Sequence, residues 1–182
     1  MLAGINYALG IEHKATISAH EYLTPTFIED QIIVRYKIPV STLIVIYTPQ
    51  LEVLLLERAD HPGYWQSVTG SQHEGETLRE TAIREVGEET GLDAARYALT
   101  DWQRRNVFEI YPIWRHRYAP GTTHNTENVF GLCVPEKIPI TVAPREHLRF
   151  QWLPHAEAAK KCFSWSNRDA ILMLPGRVKS EE

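Results

Sequence analysis

The sequence predicts an α/β fold, an α/β/α sandwich in which helices cover both sides of a mixed sheet. Three observations point there. Short runs rich in β-branched and aromatic residues recur along the 182 residues, a Glu-rich helical segment interrupts them, and two helical stretches close the chain. This length suits one domain with a sizeable core. A composition of 43% hydrophobic and 23% charged residues belongs to an ordinary globular chain rather than a disordered or membrane-spanning one.

Residues 1–36 are read as an N-terminal extension. They carry Gly4, Gly10 and Pro25, then Gln31-Ile-Ile-Val-Arg-Tyr36, which has strand composition. An added strand, a partner-binding arm and an alternative start site all fit this segment. Residues 37–176 are expected to form the functional domain, and 177–182 a tail. Val40 to Tyr47 is rich in β-branched residues, as in a buried strand. Thr48-Pro-Gln50 turns the chain into a second strand, Glu52 to Arg58. Asp60 to Tyr64 is a loop, and Trp65 to Thr69 a short strand leading into a glycine loop bracketed by Gly70 and Gly75. A helix opens at Glu76 or Thr77 and ends at Gly91, whose type suits a left-handed cap. Ala98 to Arg105 and Val107 to Tyr118 are expected as strands, with Arg115 and Arg117 sharing a face of the second. Ala119-Pro-Gly-Thr122 is a turn, and Asn128 to Val134 and Arg149 to Leu153 are further strands. Pro154 to Lys161 and Ser166 to Leu174 form the closing helices, the second stopped by Pro175-Gly176.

Several function classes are disfavoured by composition. A formal charge of −4 argues against a general nucleic-acid binder, which presents a basic surface. No apolar stretch approaches a membrane-spanning length. The first residues lack a basic leader and a cleavage site, so a cytoplasmic protein is expected. Cys133 and Cys162 make no disulfide framework and are read as packed thiols. The eight histidines contain no zinc-ligand spacing. Trp65 and Trp165 are expected to be packing anchors. No oligomeric state follows from the sequence.

Residues 70–92 carry the chemistry. They fit the pattern Gly, five residues, Glu, seven residues, Arg-Glu-apolar-x-Glu-Glu-x-Gly-apolar, at Gly70, Glu76, Arg84, Glu85, Val86, Glu88, Glu89, Gly91 and Leu92. At average residue frequencies, a chance match at a given start is rarer than about one in 10⁸. Helical geometry places Glu85 and Glu89 one turn apart with Glu88 beside them. Ala82, Ile83 and Val86 form an adjacent stripe for packing on a sheet. Three clustered carboxylates repel one another unless a cation lies among them, and a hard dication such as Mg²⁺ resolves the conflict. Arg84 is placed to hold one glutamate by a charge-assisted bond. A merely solvated Glu-rich face would not need the flanking glycines or the fixed spacing.

This pattern resembles the signature of the Nudix hydrolases. Outside it, the chain is similar to the bacterial dihydroneopterin triphosphate diphosphatases. That resemblance is carried by Arg35-Tyr-Lys-Ile-Pro-Val-Ser41, Tyr64-Trp-Gln-Ser-Val-Thr-Gly-Ser71, Phe108-Glu-Ile-Tyr111 and Arg115-His-Arg-Tyr-Ala-Pro-Gly121. Asn125-Thr-Glu127, Glu146-His-Leu148 and Ser164-Trp-Ser-Asn-Arg168 extend it. The resemblance implies metal ligands at Glu85, Glu89 and Glu146, with Glu88 a further ligand or a group behind them. It implies Mg²⁺, with Mn²⁺ as a substitute. It implies substrate contacts at Lys37, Arg58, Thr69, Phe108, Glu109, Ile110, Tyr111 and Ser164. The expected substrate is a small molecule, a pterin triphosphate or, alternatively, a nucleoside triphosphate. Water would attack phosphorus with Glu88 or Glu146 as general base. A non-catalytic ligand-binding module is the rival from another class, but its mark would be a degenerate set of glutamates.

Overall fold

The structure, a computed structural model, describes residues 26–28, 31–33 and 35–178. It divides into two units, residues 1–36 and 37–182. In the first, strand β1 (Thr26–Ile28) pairs antiparallel with β2 (Gln31–Ile33), Thr26 opposite Ile33. The strand expected over Gln31 to Tyr36 is therefore present over its first three residues, with a partner the sequence did not announce.

The second unit runs β3 (Val40–Tyr47), β4 (Glu52–Arg58), β5 (Trp65–Gln66), β6 (Val68–Ser71), α1 (Leu78–Thr90), β7 (Ala98–Glu109), β8 (His124–Cys133), β9 (His147–Pro154), α2 (His155–Lys161) and α3 (Trp165–Val178). Five strands lie in the order β5-β4-β3-β8-β7, with β6 also on β3 and β9 also on β4. Among the described strand pairs only β3 and β8 run parallel, so the sheet is mixed. Strand alternation then makes two cores. Leu43, Val45 and Tyr47 of β3 pack with Val53 and Leu55 of β4 against Ala158, Ile171 and Leu174 of α2 and α3. Ile44, Ile46, Leu54 and Leu56 point the other way and meet Ala82 and Val86 of α1. This is the predicted sandwich.

Helix α1 is fixed at both ends. Thr77 is the cap residue: Glu80 N–H donates to its hydroxyl at 3.2 Å, and Thr77 N–H donates to the Glu80 carboxylate at 2.7 Å. Gly91 closes the helix at φ 71°, a left-handed conformation that costs glycine little.

Three expectations fail in the C-terminal half. Residues 98–109 form one continuous strand rather than part of two, with Trp102 and Gln103 bulged out of register between Asp101 and Arg104. The bulge sends Trp102 into the core, where its ring covers Gly131. The strand does not reach Tyr118. Pro112 lacks an N–H for the ladder and instead starts a 3-10 helix, Pro112–Arg117. Arg115 and Arg117 therefore share no strand face; Arg115 folds back onto the Ile110 carbonyl at 3.0 Å and the Glu109 carboxylate. Helix α3 also continues through Pro175 and Gly176 to Val178. An interior proline costs about 3 kcal/mol. Arg177 offsets it by donating to the Trp102 carbonyl at 2.7 Å while its guanidinium lies 5.8 Å from that ring.

Trp65 is buried, with Lys161 Nζ 4.2 Å from its ring centroid, whereas Trp165, expected as a second anchor, is 46% exposed. Cys133 and Cys162 are not joined in a disulfide and are partly buried, and burial pushes the Cys162 thiol up to about 12, which disfavours its reactive thiolate. No helix among the described residues is long and apolar enough to cross a membrane. Leu174, fully buried under the sheet, tests the α3 packing. Leu174→Ala is expected to cost about 2–5 kcal/mol in urea denaturation; a cost below about 1 kcal/mol would contradict the assigned core.

Candidate active site

The glycine loop and α1 deliver the first carboxylates. Gly70 lies on β6 opposite Thr42 of β3, and the Glu85 carboxyl sits directly against it. A Cβ at position 70 would fall 1.7 Å from Glu85 Cδ, so only glycine leaves room. Arg84 organises the acids around it. Its Nε donates to Glu76 at 2.7 Å, and Nη1 donates to Glu85 at 2.7 Å and Glu88 at 3.0 Å. Nη2 reaches the Ser71 carbonyl at 3.0 Å and ties the arrangement to β6. Glu76 also accepts from the His73 amide and the Thr81 hydroxyl, and with Arg84 these hold it down at about 2. Glu76, part of the motif but given no role by the sequence reading, is thus the counter-charge that holds Arg84 in place.

Glu146 is far away in sequence, and backbone bonds bring it in. Thr141 N–H donates to the Thr90 carbonyl at 3.0 Å and Ala143 N–H to the Glu89 carbonyl at 3.3 Å, fastening this loop to the end of α1. Ala59 N–H then donates to the Glu146 carbonyl at 2.8 Å, and β9 begins with His147 opposite Arg58. As a result, ligand atoms of Glu89, Glu146 and His147 lie within 4.8 Å of one another. His147 Nε2 is 2.9 Å from Glu89 Oε2, and both side chains are 3% exposed. The one cue to this contact in the sequence was the position of His147 directly after Glu146.

The electrostatics of these acids suit a bound cation. Burial first, then repulsion from Glu89, pushes Glu85 up to about 8 despite Arg84. Glu89 rises well above the carboxylate range through burial and the Glu146 charge, although the Thr69 amide donates to it. Burial also lowers the His147 pKa, keeping it neutral and fit to ligate. Two buried, mutually repelling carboxylates beside a third and a neutral imidazole make a donor set that fits a divalent metal.

The sign of the linkage gives a test. Between pH 4.5 and about 8, metal-free folded protein binds protons at Glu85 that the unfolded chain has released. Its stability must therefore fall as pH rises through that window. His147 works the other way, but only below its ordinary 6.5. Lys37, lowered to about 8 chiefly by burial, acts only above that value. From pH 6.5 to 8 the metal-free Tm is expected to drop by about 3 °C per pH unit for each such carboxyl. Saturating Mg²⁺ should abolish the drop. A flat metal-free profile would contradict the coupled carboxyls.

The expected substrate residues fall into different settings. Lys37 sits within the field of both Glu85 and Glu146. Thr69 accepts a hydrogen bond from Gln66, whose carbonyl accepts from Arg58 Nη1 at 3.1 Å. Arg58 Nε and Nη2 grip Asp60 at 2.8 and 2.5 Å, leaving two of its five N–H groups for a ligand. Ile110 is buried, Glu109 turns outward to Arg115, and Phe108 lies opposite Asn125 on the other face of β7. Ser164 caps α3, its hydroxyl accepting from Asn167 N–H at 3.3 Å. Asn167 is itself clamped to Ser67, by 2.7 and 2.9 Å bonds, which fixes the helix start beside β5 and β6. Folding also gathers aromatics that the sequence left scattered. Tyr64 stacks on Phe163 at 5.2 Å and on His61 at 5.5 Å, and Tyr111 meets Trp114 edge-on at 5.4 Å. Arg58 joins the two groups, 5.7 Å from the Phe163 ring and 5.9 Å from that of Trp114.

A family model described as NUDIX domain matches residues 37–174. The chain belongs to the Nudix family. This Nudix chain is 50% identical over 139 residues to the dihydroneopterin triphosphate diphosphatase of Escherichia coli K12, covering 75% of the chain and 91% of that protein. It is 43% identical over 143 residues to the protein of the same name from Haemophilus influenzae, covering 77% and 89%. The solved structure of the E. coli dihydroneopterin triphosphate pyrophosphohydrolase superposes with a TM-score of 0.69 at 50% identity, over 75% of this chain and 94% of that one. The Nudix fold and hydrolase class expected from the glutamate motif hold.

Proposed function

We propose that this Nudix hydrolase converts dihydroneopterin triphosphate and water to dihydroneopterin monophosphate and pyrophosphate, a step of folate synthesis. The observation that carries the reading is identity of 50% sustained over 91% of the length of an enzyme bearing that name. The site chemistry supports it. Glu85, Glu89 and Glu146 would hold Mg²⁺, with Mn²⁺ as a substitute; ligand atoms of Glu89 and Glu146 gather with those of His147, Glu85 lies within the repulsion of Glu89, and Glu88 shares Arg84 with Glu85. When bound, the dication neutralises phosphate oxygens and makes phosphorus more electrophilic.

The chain's own side chains do the rest. Lys37, beside the Glu85 and Glu146 charges, and the two free N–H groups of Arg58 meet the triphosphate oxygens. They stabilise the charge that accumulates on the departing pyrophosphate. A carboxylate not saturated by the cation, Glu88 or Glu146, accepts the proton of the attacking water. Phe108, Tyr111 and Ser164 would contact the pterin. Product analysis tests the bond cleaved: pyrophosphate and the monophosphate should appear in equal amounts. Release of orthophosphate with a pterin diphosphate would contradict the proposal.

A further inference from the structure

The mechanism leaves Asn125-Thr-Glu127 without a task, although the fold puts it in a distinctive place. Glu127 lies opposite Asn106 of β7 and beside Ser41 of β3, and Asn125 lies opposite Phe108. Strand alternation sets Ser41, Asn106, Phe108, Asn125 and Glu127 on one sheet face. Two residues further along, the same face carries Leu43 and Val129 into the core under α3. Where α3 begins, at Ser164 to Ser166, the face changes from apolar to polar.

This polar patch is short of donors. The Glu127 carboxylate is 6% exposed and accepts from Asn106 Nδ2 at 3.2 Å and from the Ser166 hydroxyl. Both partners are neutral, and no cation pairs with it among the described residues. A carboxylate has about four acceptor positions, so roughly half remain open. Asn125 spends its amide group on the Ser41 hydroxyl at 2.7 Å, and its side-chain oxygen is buried without a donor. Burial pushes the Glu127 carboxyl pKa up. Burying an unpaired acid is costly, and a purely structural role would be met by an amide.

We infer that Glu127 is a specificity-determining residue, whose carboxylate accepts the two parallel N–H groups of a 2-amino-4-oxo pyrimidine edge on the substrate ring. The inference rests on the proposed seat beside Phe108 and Ser164. Pterin and guanine rings both carry that edge; cytosine, thymine and hypoxanthine rings do not.

The test uses the full chain with Mg²⁺. Glu127→Gln keeps the shape and one acceptor but turns an NH₂ toward the ligand donors. Its kcat/KM should fall about 100-fold for dihydroneopterin triphosphate and for dGTP, chiefly through KM, while dCTP and dTTP change less than about threefold. An equal fall on all four substrates, or no fall on any, would overturn the inference. Wild-type protein supplies an arm independent of the variant's folding. It should favour dGTP over deoxyinosine triphosphate, which lacks only the 2-amino group, by about tenfold or more, as kcat/KM or as inhibition constants. Equal values would overturn it. Wild-type preference between the pterin and dGTP tests the parent proposal separately, since both rings present the edge that Glu127 reads.

Discussion

Glu89→Gln is expected to lower kcat/KM by about 10³-fold or more and to raise the Tm of the metal-free protein. The pairing of effects follows from one cause. Glu89 is buried, faces the Glu146 charge, and lies 2.9 Å from a neutral His147. An amide of the same shape keeps an oxygen for the Thr69 amide and loses the charge that burial and repulsion oppose. Stability should therefore improve while the capacity to hold a dication disappears. Activity within tenfold of wild type would remove Glu89 from the metal site. A lower Tm with lost activity would mean that Glu89 is structural.

Gly70→Ala should lower kcat/KM by about 100-fold or more with the fold intact, an effect that no ligand is being removed to produce. The backbone at position 70 is ordinary strand, so alanine is tolerated there in conformation. The added carbon would occupy the space of the Glu85 carboxyl, at 1.7 Å from Cδ and 1.8 Å from Oε1. Glu85 ends in a flexible side chain, so it yields rather than the sheet, and leaves the place in which Arg84 holds it. The measurement is divalent-metal affinity beside a thermal melt. Affinity within threefold of wild type would show that Glu85 is not held in position by Gly70.

These two variants probe the part of the molecule that was most legible in the sequence. Helix α1 carries its own instructions: a capping box at Thr77 and Glu80, a left-handed glycine at 91, and carboxylates spaced by helical geometry. The sandwich was legible for a similar reason, since β3 and β4 are apolar on both faces and so require cover on both. Errors came where a single local signal competed with another. The aromatic alternation after Val107 resembles a strand, yet Pro112 ends it because a ladder needs an N–H. Pro175-Gly176 resembles a stop, yet Arg177 and Trp102, far apart in sequence, carry the helix past it. Contacts between loops had no periodic signature at all. Glu89 meets His147 only because two backbone bonds fasten residues 141–143 to the end of α1. The gathering of His61, Tyr64, Trp114 and Phe163 around Arg58 likewise joins three separate connections.

The most direct test of the account is kcat/KM with Mg²⁺ for dihydroneopterin triphosphate beside the four deoxynucleoside triphosphates, scored by pyrophosphate release. A clear preference for the pterin is predicted. A flat or nucleotide-favouring profile would contradict the pterin assignment while leaving the Nudix chemistry in place, and absence of turnover on all five would contradict both.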